Sequence, residues 1–186
     1  AMKHADYRMQ LVENPYVPKE DWLIWPVDGY GDPNKIKSAI IKHRPDILWF
    51  MTDPRFYTWL WEIEDEIRPK IPMIYYHVWD NYPYPKYNKK YYDSNDIVCT
   101  ISKVTDDIVR TVSPDVKVHY LPHTVDTDIF KKNPIDTYKH LIEEADSKDK
   151  MVFFWNNRNA RRKQSGTLIW WFNEFLKRVG KDKACL

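Results

Sequence analysis

The sequence predicts an α/β protein: a Rossmann-like parallel sheet with helices on both faces, followed by the first strand–helix unit of a second Rossmann-like domain. Three observations carry that prediction. Apolar runs of strand length recur at residues 47–51 (ILWFM), 72–78 (PMIYYHV), 96–101 (DIVCTI) and 116–121 (VKVHYL). The first is continuous rather than alternating, the pattern of a strand buried on both faces. Amphipathic stretches of helix length separate the runs, and several open on a capping residue, as at Asp32-Pro33, Asp53-Pro54 and Ser102. Strands alternating with helices imply right-handed crossovers and a parallel sheet.

Taken in order, residues 22–25 (WLIW) read as an added edge strand. Asp32 caps a first helix whose apolar side holds Ile36, Ala39, Ile40 and His43, and Pro45-Asp46 ends it. After the first strand, Asp53-Pro54 repeats the device. Phe56, Trp59, Leu60, Ile63 and Ile67 form a helical stripe closed by Pro69. Ser102 caps a helix with Val104, Ile108, Val109 and Val112 inward. Residues 131–150 are polar and charged, with one short helical pattern through Tyr138, Leu141, Ile142 and Ala145, and read as a connector. Residues 151–155 (MVFFW) are a fresh buried-type strand. The stripe Leu168, Ile169, Phe172, Phe175, Leu176 and Val179 then marks a helix that Gly180 closes. The expected domains are therefore 1–130, lacking its first strand–helix unit, a connector 131–150, and a truncated second domain 151–186.

Composition narrows the function classes. The 186 residues are 43% hydrophobic and 16% aromatic, with a formal net charge of +2. That suits a folded core and leaves no global field to select nucleic acid or a membrane, so any anion site must be local and no nucleic-acid partner is expected. No stretch approaches the roughly 20 apolar residues of a membrane span. The N-terminal Ala1 and Met2 resemble an expression remnant, and no signal-peptide core follows them. Cys99 and Cys185 give neither a ligand spacing nor a disulfide framework, and read as reduced thiols. Nothing in the sequence identifies a metal or calls for a cofactor.

The most informative loop follows the MVFFW run. In Asn156-Asn157-Arg158-Asn159-Ala160-Arg161-Arg162-Lys163, four cations fall within eight residues without an acid. Loops leaving the C-terminal ends of parallel strands face the ligand crevice. The helix N-terminus beside them adds free N–H groups and a positive dipole end. Arginine grips phosphate oxygens with a bidentate fork and lysine adds a point charge, so a diphosphate is the best-fitting ligand; a solvated basic loop is the plainer reading. His77 ends the second central strand ahead of Val78-Trp79-Asp80-Asn81. It is read either as a group that binds a sugar hydroxyl or moves a proton, or as a structural histidine. His123 lies just past another strand end, as a site residue or as a turn histidine bonded to local backbone. The tyrosine-rich stretch 75–92 reads as a packed, partly exposed wall.

Three segments, in order, resemble the retaining GT-B glycosyltransferases of the group-1 (GT4-like) family. Residues 92–102 (YDSNDIVCTIS) are similar to its "aspartate, hydrophobic strand, serine" segment, and residues 121–130 (LPHTVDTDIF) to the signature closing its first domain. Arg158 and Lys163 reproduce the five-residue spacing of its donor-binding arginine and lysine. The resemblance implies hexosyl transfer from a nucleoside-diphosphate sugar to a carbohydrate or lipid-linked acceptor, with retention of configuration. Arg158 and Lys163 would hold the diphosphate and His77 would be the catalytic histidine, while Asp80, Ser102, His123, Asn157 and Arg162 would line the cleft. The sequence departs from the family where Thr124 replaces a glycine, so that turn does not need a strongly positive φ. Its glycine-rich first loop is not visible, and Gly29 and Gly31 precede a different helix.

The family's paired-glutamate segment is also missing, so the chain is expected to be an inactive part of an enzyme. The apolar residues of 151–186 are expected either to dock on the chain's own first domain or to pair with the same segment of a second copy, and the homodimer is favoured because an unpaired MVFFW edge is a strong template for pairing. The expected location is cytoplasmic, with peripheral association at the inner face of a membrane as a variant. Two rival readings stand beside the enzyme: a non-catalytic Rossmann-like module whose basic loop meets RNA or a phosphorylated partner, and a truncated relative serving as a structural subunit.

Overall fold

The computed structural model describes residues 10–12, 22–134, 137, 139–144 and 147–186. It divides into two compact units, Ala1–Thr124 and Val125–Leu186. In the first, β1 (Gln10–Val12) and β2 (Trp22–Ile24) pair with each other antiparallel. Residues 22–24 are thus one half of a separate ribbon and not the edge of the main sheet. α1 (Pro33–His43) follows, its N-cap Asp32 accepting from the Lys35 N–H at 3.0 Å.

The main sheet consists of β3 (Leu48–Thr52), β4 (Met73–His77), β5 (Ile97–Thr100) and β6 (Val118–Tyr120). All neighbours are parallel, as expected for the four apolar runs, and their spatial order is β3-β4-β5-β6. Registers Thr52↔His77, His77↔Thr100 and Thr100↔Tyr120 bring the four C-terminal ends to one edge.

The connections are α2 (Thr58–Trp61) and α3 (Glu64–Ile67) after β3, α4 (Lys89–Asp93) after β4, and α5 (Lys103–Val112) after β5. The single stripe expected over 56–67 is broken, because Tyr57 (φ −123°) and Ile63 (φ −118°) leave helical geometry. Leu60, Trp61 and Ile67 are buried nonetheless.

Strand alternation shows where these helices lie. Phe50, Met73, Tyr75 and Val98 share one face and form a single core with Leu60, Trp61, Ile67, Tyr92, Ile108, Val109 and Val112. On the other face Trp49 and Met51 are 54% and 50% exposed. The expectation of helices on both faces is therefore corrected: the connecting helices cover one. Strands in sequence order with crossovers of one hand return every connection to the same side.

Two polar devices fix strand starts and helix entries. Asp96 accepts from the Met73 N–H at 2.7 Å and from the Arg68 guanidinium at 3.2 Å, tying β5 to β4 and α3. Ser102 caps α5, its hydroxyl accepting from the Thr105 N–H at 3.1 Å. Ser102→Ala is expected to cost about 1 kcal/mol of unfolding free energy, measurable by urea titration.

The second unit holds α6 (Lys139–Glu144), β7 (Met151–Val152), α7 (Ser165–Val179) and β8 (Ala184–Cys185). The helical pattern expected through Tyr138 and Ala145 extends onto residues outside the described ones. β7 and β8 are parallel, making a small β-α-β unit whose second strand the sequence reading lacks. Phe153 packs against Phe172 and Phe175 of α7, with ring centroids 5.5 and 5.8 Å away. Only two residues of MVFFW pair, and the run is exposed, Phe154 at 86%; its reading as a buried strand is corrected, since a two-stranded ribbon supplies no second layer. Gly180 closes α7 at φ 100°, its N–H donating to the Leu176 carbonyl at 2.9 Å, a conformation that favours glycine.

Candidate functional site

The C-terminal ends of β3, β4 and β5 open into a crevice of about 1050 Å³ in the first unit. This is the edge at which open parallel sheets place their ligands. One wall follows β3 and holds Thr52, Asp53, Arg55 and Thr58; the opposite wall follows β4 and holds Val78, Trp79, Asp80 and Asn81. Tyr87, Asn88 and Tyr91 come from the next connection, and Ser102 and Thr105 from the entry to α5.

Asp53 accepts two hydrogen bonds from its neighbour Arg55, from Nε at 3.0 Å and Nη2 at 2.7 Å, and a third from the Arg55 backbone N–H at 3.0 Å. Hydrogen bonding from Arg55 holds the Asp53 carboxyl below its usual range. The Asp53-Pro54 cap expected from the sequence thus also anchors Arg55, the one cation among the described residues that line the crevice. Asp80 and Asn81 are exposed, and neither side chain has a hydrogen-bond or ion-pair partner among the described residues. The indole N–H of Trp79 is buried in the wall without an acceptor among the described residues.

His77 occupies a different place from the one its strand-end position predicts. It is 0% exposed and does not line the crevice. Nδ1 is 2.7 Å from the Tyr75 hydroxyl and Nε2 is 2.8 Å from the Tyr92 hydroxyl. The Tyr75 hydroxyl donates to the Thr52 carbonyl at 2.8 Å, so its oxygen accepts from His77 Nδ1–H. Nε2 of the neutral ring then accepts from Tyr92, whose oxygen receives a long 3.4 Å bond from Asn88 Nδ2. Burial depresses the imidazole pKa to about 3 and pushes the Tyr92 phenol up to about 12. Both ring nitrogens are thus engaged and the ring is neutral at pH 7. The chain of bonds starts and ends on crevice residues, Asn88 and Thr52, so His77 fixes the floor beneath the crevice instead of reaching into it.

The other predicted residues separate into two groups. Asp80 and Ser102 stand on the crevice, although the Ser102 hydroxyl is committed to its cap and to Thr105 Oγ1 at 2.9 Å. His123 is exposed and lies outside the crevice lining, with Nδ1 2.9 Å from the Tyr76 hydroxyl. Thr124 has no positive φ, as its replacement of glycine predicts. Asn157, Arg158, Arg162 and Lys163 belong to the second unit. There residues 153–160 are irregular, Arg161–Lys163 form one 3-10 turn, and Gln164 at φ 56° leads into α7. Among the described residues no acid pairs with Arg158, Arg161, Arg162 or Lys163.

Sequence reasoning missed Arg55, Tyr87 and the Tyr75–His77–Tyr92 chain. A signal for the last was present: Met73, Tyr75 and His77 share strand parity, which places His77 on the same face as a strand-core tyrosine.

Among the described residues no group of three or more His, Cys, Asp or Glu side chains is arranged to hold a metal ion. No described helix is long and apolar enough to cross a membrane. Both cysteines are free thiols. The chain matches no protein-family model and no curated protein. The first unit is α/β, with a four-stranded parallel sheet flanked by helices, Rossmann-like in general.

Proposed function

We propose that the chain is a part, inactive by itself, of a GT-B, group-1-like glycosyltransferase that uses a nucleoside-diphosphate sugar. The observation that carries the reading is the basic loop of the second unit. Four cations without acid partners among the described residues stand between a parallel strand and the N-terminus of a 15-residue helix, and Arg158 and Lys163 keep the spacing of the resembling family. A diphosphate accepts hydrogen bonds only, which matches a loop made of donors and helix N–H groups. The crevice of the first unit supports the reading as a place for an acceptor, at the ligand-binding edge of its own sheet.

In this reading Arg158 and Lys163 neutralise the departing diphosphate, with Asn157 and Arg162 beside them. Asp80, exposed on the crevice without a partner, is the group available to accept a hydrogen bond from an incoming hydroxyl. His77 acts as a positioning residue, since a ring that is neutral and bonded at both nitrogens has no free site for a proton.

Calorimetric titration with UDP-glucose and GDP-mannose tests the donor assignment. Arg158→Ala and Lys163→Ala are each expected to weaken the nucleotide sugar that binds by about 1.5–3 kcal/mol, the range for charge-assisted hydrogen bonds. Unchanged affinity in both variants refutes the assignment. Tight binding of single-stranded RNA, falling steeply with salt, would favour the rival phosphate-backbone reading instead.

A further inference from the structure

The crevice of the first unit has a chemistry opposite to that of the basic loop. Three charged side chains line it, Asp53, Arg55 and Asp80. Arg55 is already bound by Asp53, which leaves the Asp80 carboxylate as the unpaired charge. A phosphate placed there would meet a like charge and only acceptors on Asp80, at a cost that no free cation of the crevice offsets.

The remaining surface suits a ring with hydroxyl groups. Tyr87 is 68% exposed and stands edge-on to Trp79, ring centroids 6.3 Å apart and planes at 73°. Together they make an angled aromatic wall, with Tyr87 largely open to a ligand. Trp79 is itself held by a near-parallel stack on His77 at 6.1 Å and by its backbone carbonyl, which accepts from Thr105 Oγ1 at 2.8 Å. These contacts hold the Trp79 half of the wall in place. Next to it, Asp80 presents acceptors alone and Asn81 presents both a donor and acceptors, none of them engaged within the described chain. A sugar ring offers the matching set: apolar C–H faces for the aromatic wall, and hydroxyls that both donate and accept. At about 1050 Å³ the crevice reaches the upper end of small-ligand sites, which gives room for more than one ring.

We infer that this crevice binds the end of an uncharged glycan, stacked on Tyr87 and Trp79 and hydrogen-bonded by Asp80 and Asn81. The inference rests on the glycosyltransferase reading for the glycan's role as acceptor. It rests on the crevice alone for the binding.

The probes are maltose, cellobiose and lactose, with glucose and glucose 6-phosphate as a matched neutral and anionic pair. Binding to the full chain is followed by saturation-transfer NMR and by titration of tryptophan-indole cross-peaks. At least one neutral disaccharide is expected to bind saturably. Tyr87→Ala and Asp80→Ala should each weaken it about tenfold or more, and glucose 6-phosphate should bind about tenfold or more weakly than glucose. Both replaced side chains are exposed, so the fold is retained, and unchanged circular dichroism checks this. Arg158→Ala should leave disaccharide binding unchanged, so that failure of the donor assignment and failure of the glycan site are read separately. No saturable binding across the panel overturns the inference. So does disaccharide binding indifferent to both Tyr87→Ala and Asp80→Ala, or a preference for the phosphorylated sugar.

Discussion

Acidification from pH 7 to pH 4.5 is expected to weaken the first unit by roughly 2–3 kcal/mol through His77 alone. Burial, the larger cause, takes its pKa to about 3, against an ordinary 6.5; the Asp53 carboxylate opposes this without cancelling it. The groups that bond to the ring, Tyr75 and Tyr92, have pKa values raised by burial and remain neutral throughout. A base whose folded pKa is depressed contributes its full stability above the unfolded value. Below pH 6.5 the unfolded chain takes up a proton that the folded chain refuses, and stability falls by about 1.4 kcal/mol per pH unit until the folded pKa is reached. Asp53, Asp93 and Asp106 have depressed pKa values, so they add to the loss only once the pH falls through the ordinary carboxylate range near about 4. Urea unfolding at pH 7 and pH 4.5 separates the two groups. His77→Gln should lower stability at pH 7 and flatten the dependence between these pH values to under about 1 kcal/mol. A variant as acid-sensitive as the parent would show that His77 is already solvated. Nitrogen chemical shifts should also report the Nδ1–H tautomer at pH 7.

The four main strands were legible because their runs are apolar and because those at 47–51 and 96–101 are followed by a capping residue, Asp53 and Ser102; both signals are local. Strand order is not local. No residue in the runs 47–51 or 96–101 tells whether the next crossover returns to the same side, so helices were expected on two faces where one carries them. The same limit misplaced residues 22–24, whose three apolar residues do not name a partner; their pairing with residues 10–12 is a tertiary choice. β8, of two residues, is too short to carry a period. At the crevice, Asp80 and Ser102 were legible from strand ends. Arg55 and Tyr87 were not, because a lone arginine in a first turn and one tyrosine among many look ordinary until the fold brings them to one edge. His77 was assigned to the right edge and the wrong face, since position along a strand was weighed and its parity with Tyr75 was not.

Tyr75→Ala is expected to cost about 3–5 kcal/mol, and the reasons are separable. The ring is fully buried, stacked on Phe50 at 5.2 Å and 17°, and set edge-on to Trp61 at 5.2 Å and 77°. Its removal leaves a cavity between β3, β4 and α2 that these aromatic neighbours are too rigid to fill. Its hydroxyl links the Thr52 carbonyl to His77 Nδ1–H, so truncation also leaves the buried His77 N–H without that acceptor. Tyr75→Phe keeps the ring and removes that link, and should therefore cost about 1–3 kcal/mol, the penalty for unsatisfied buried polar groups. The phenylalanine variant should also disturb the crevice floor at Thr52 and change the His77 nitrogen shifts, whereas Leu60→Ala, an apolar loss of about 2–5 kcal/mol in the same core, should leave those shifts alone. Chemical denaturation of the three variants, with nitrogen spectra of each, checks the order. Equal losses for Tyr75→Phe and Tyr75→Ala would mean that the hydroxyl bridge, and not the packed ring, holds the centre of the sheet.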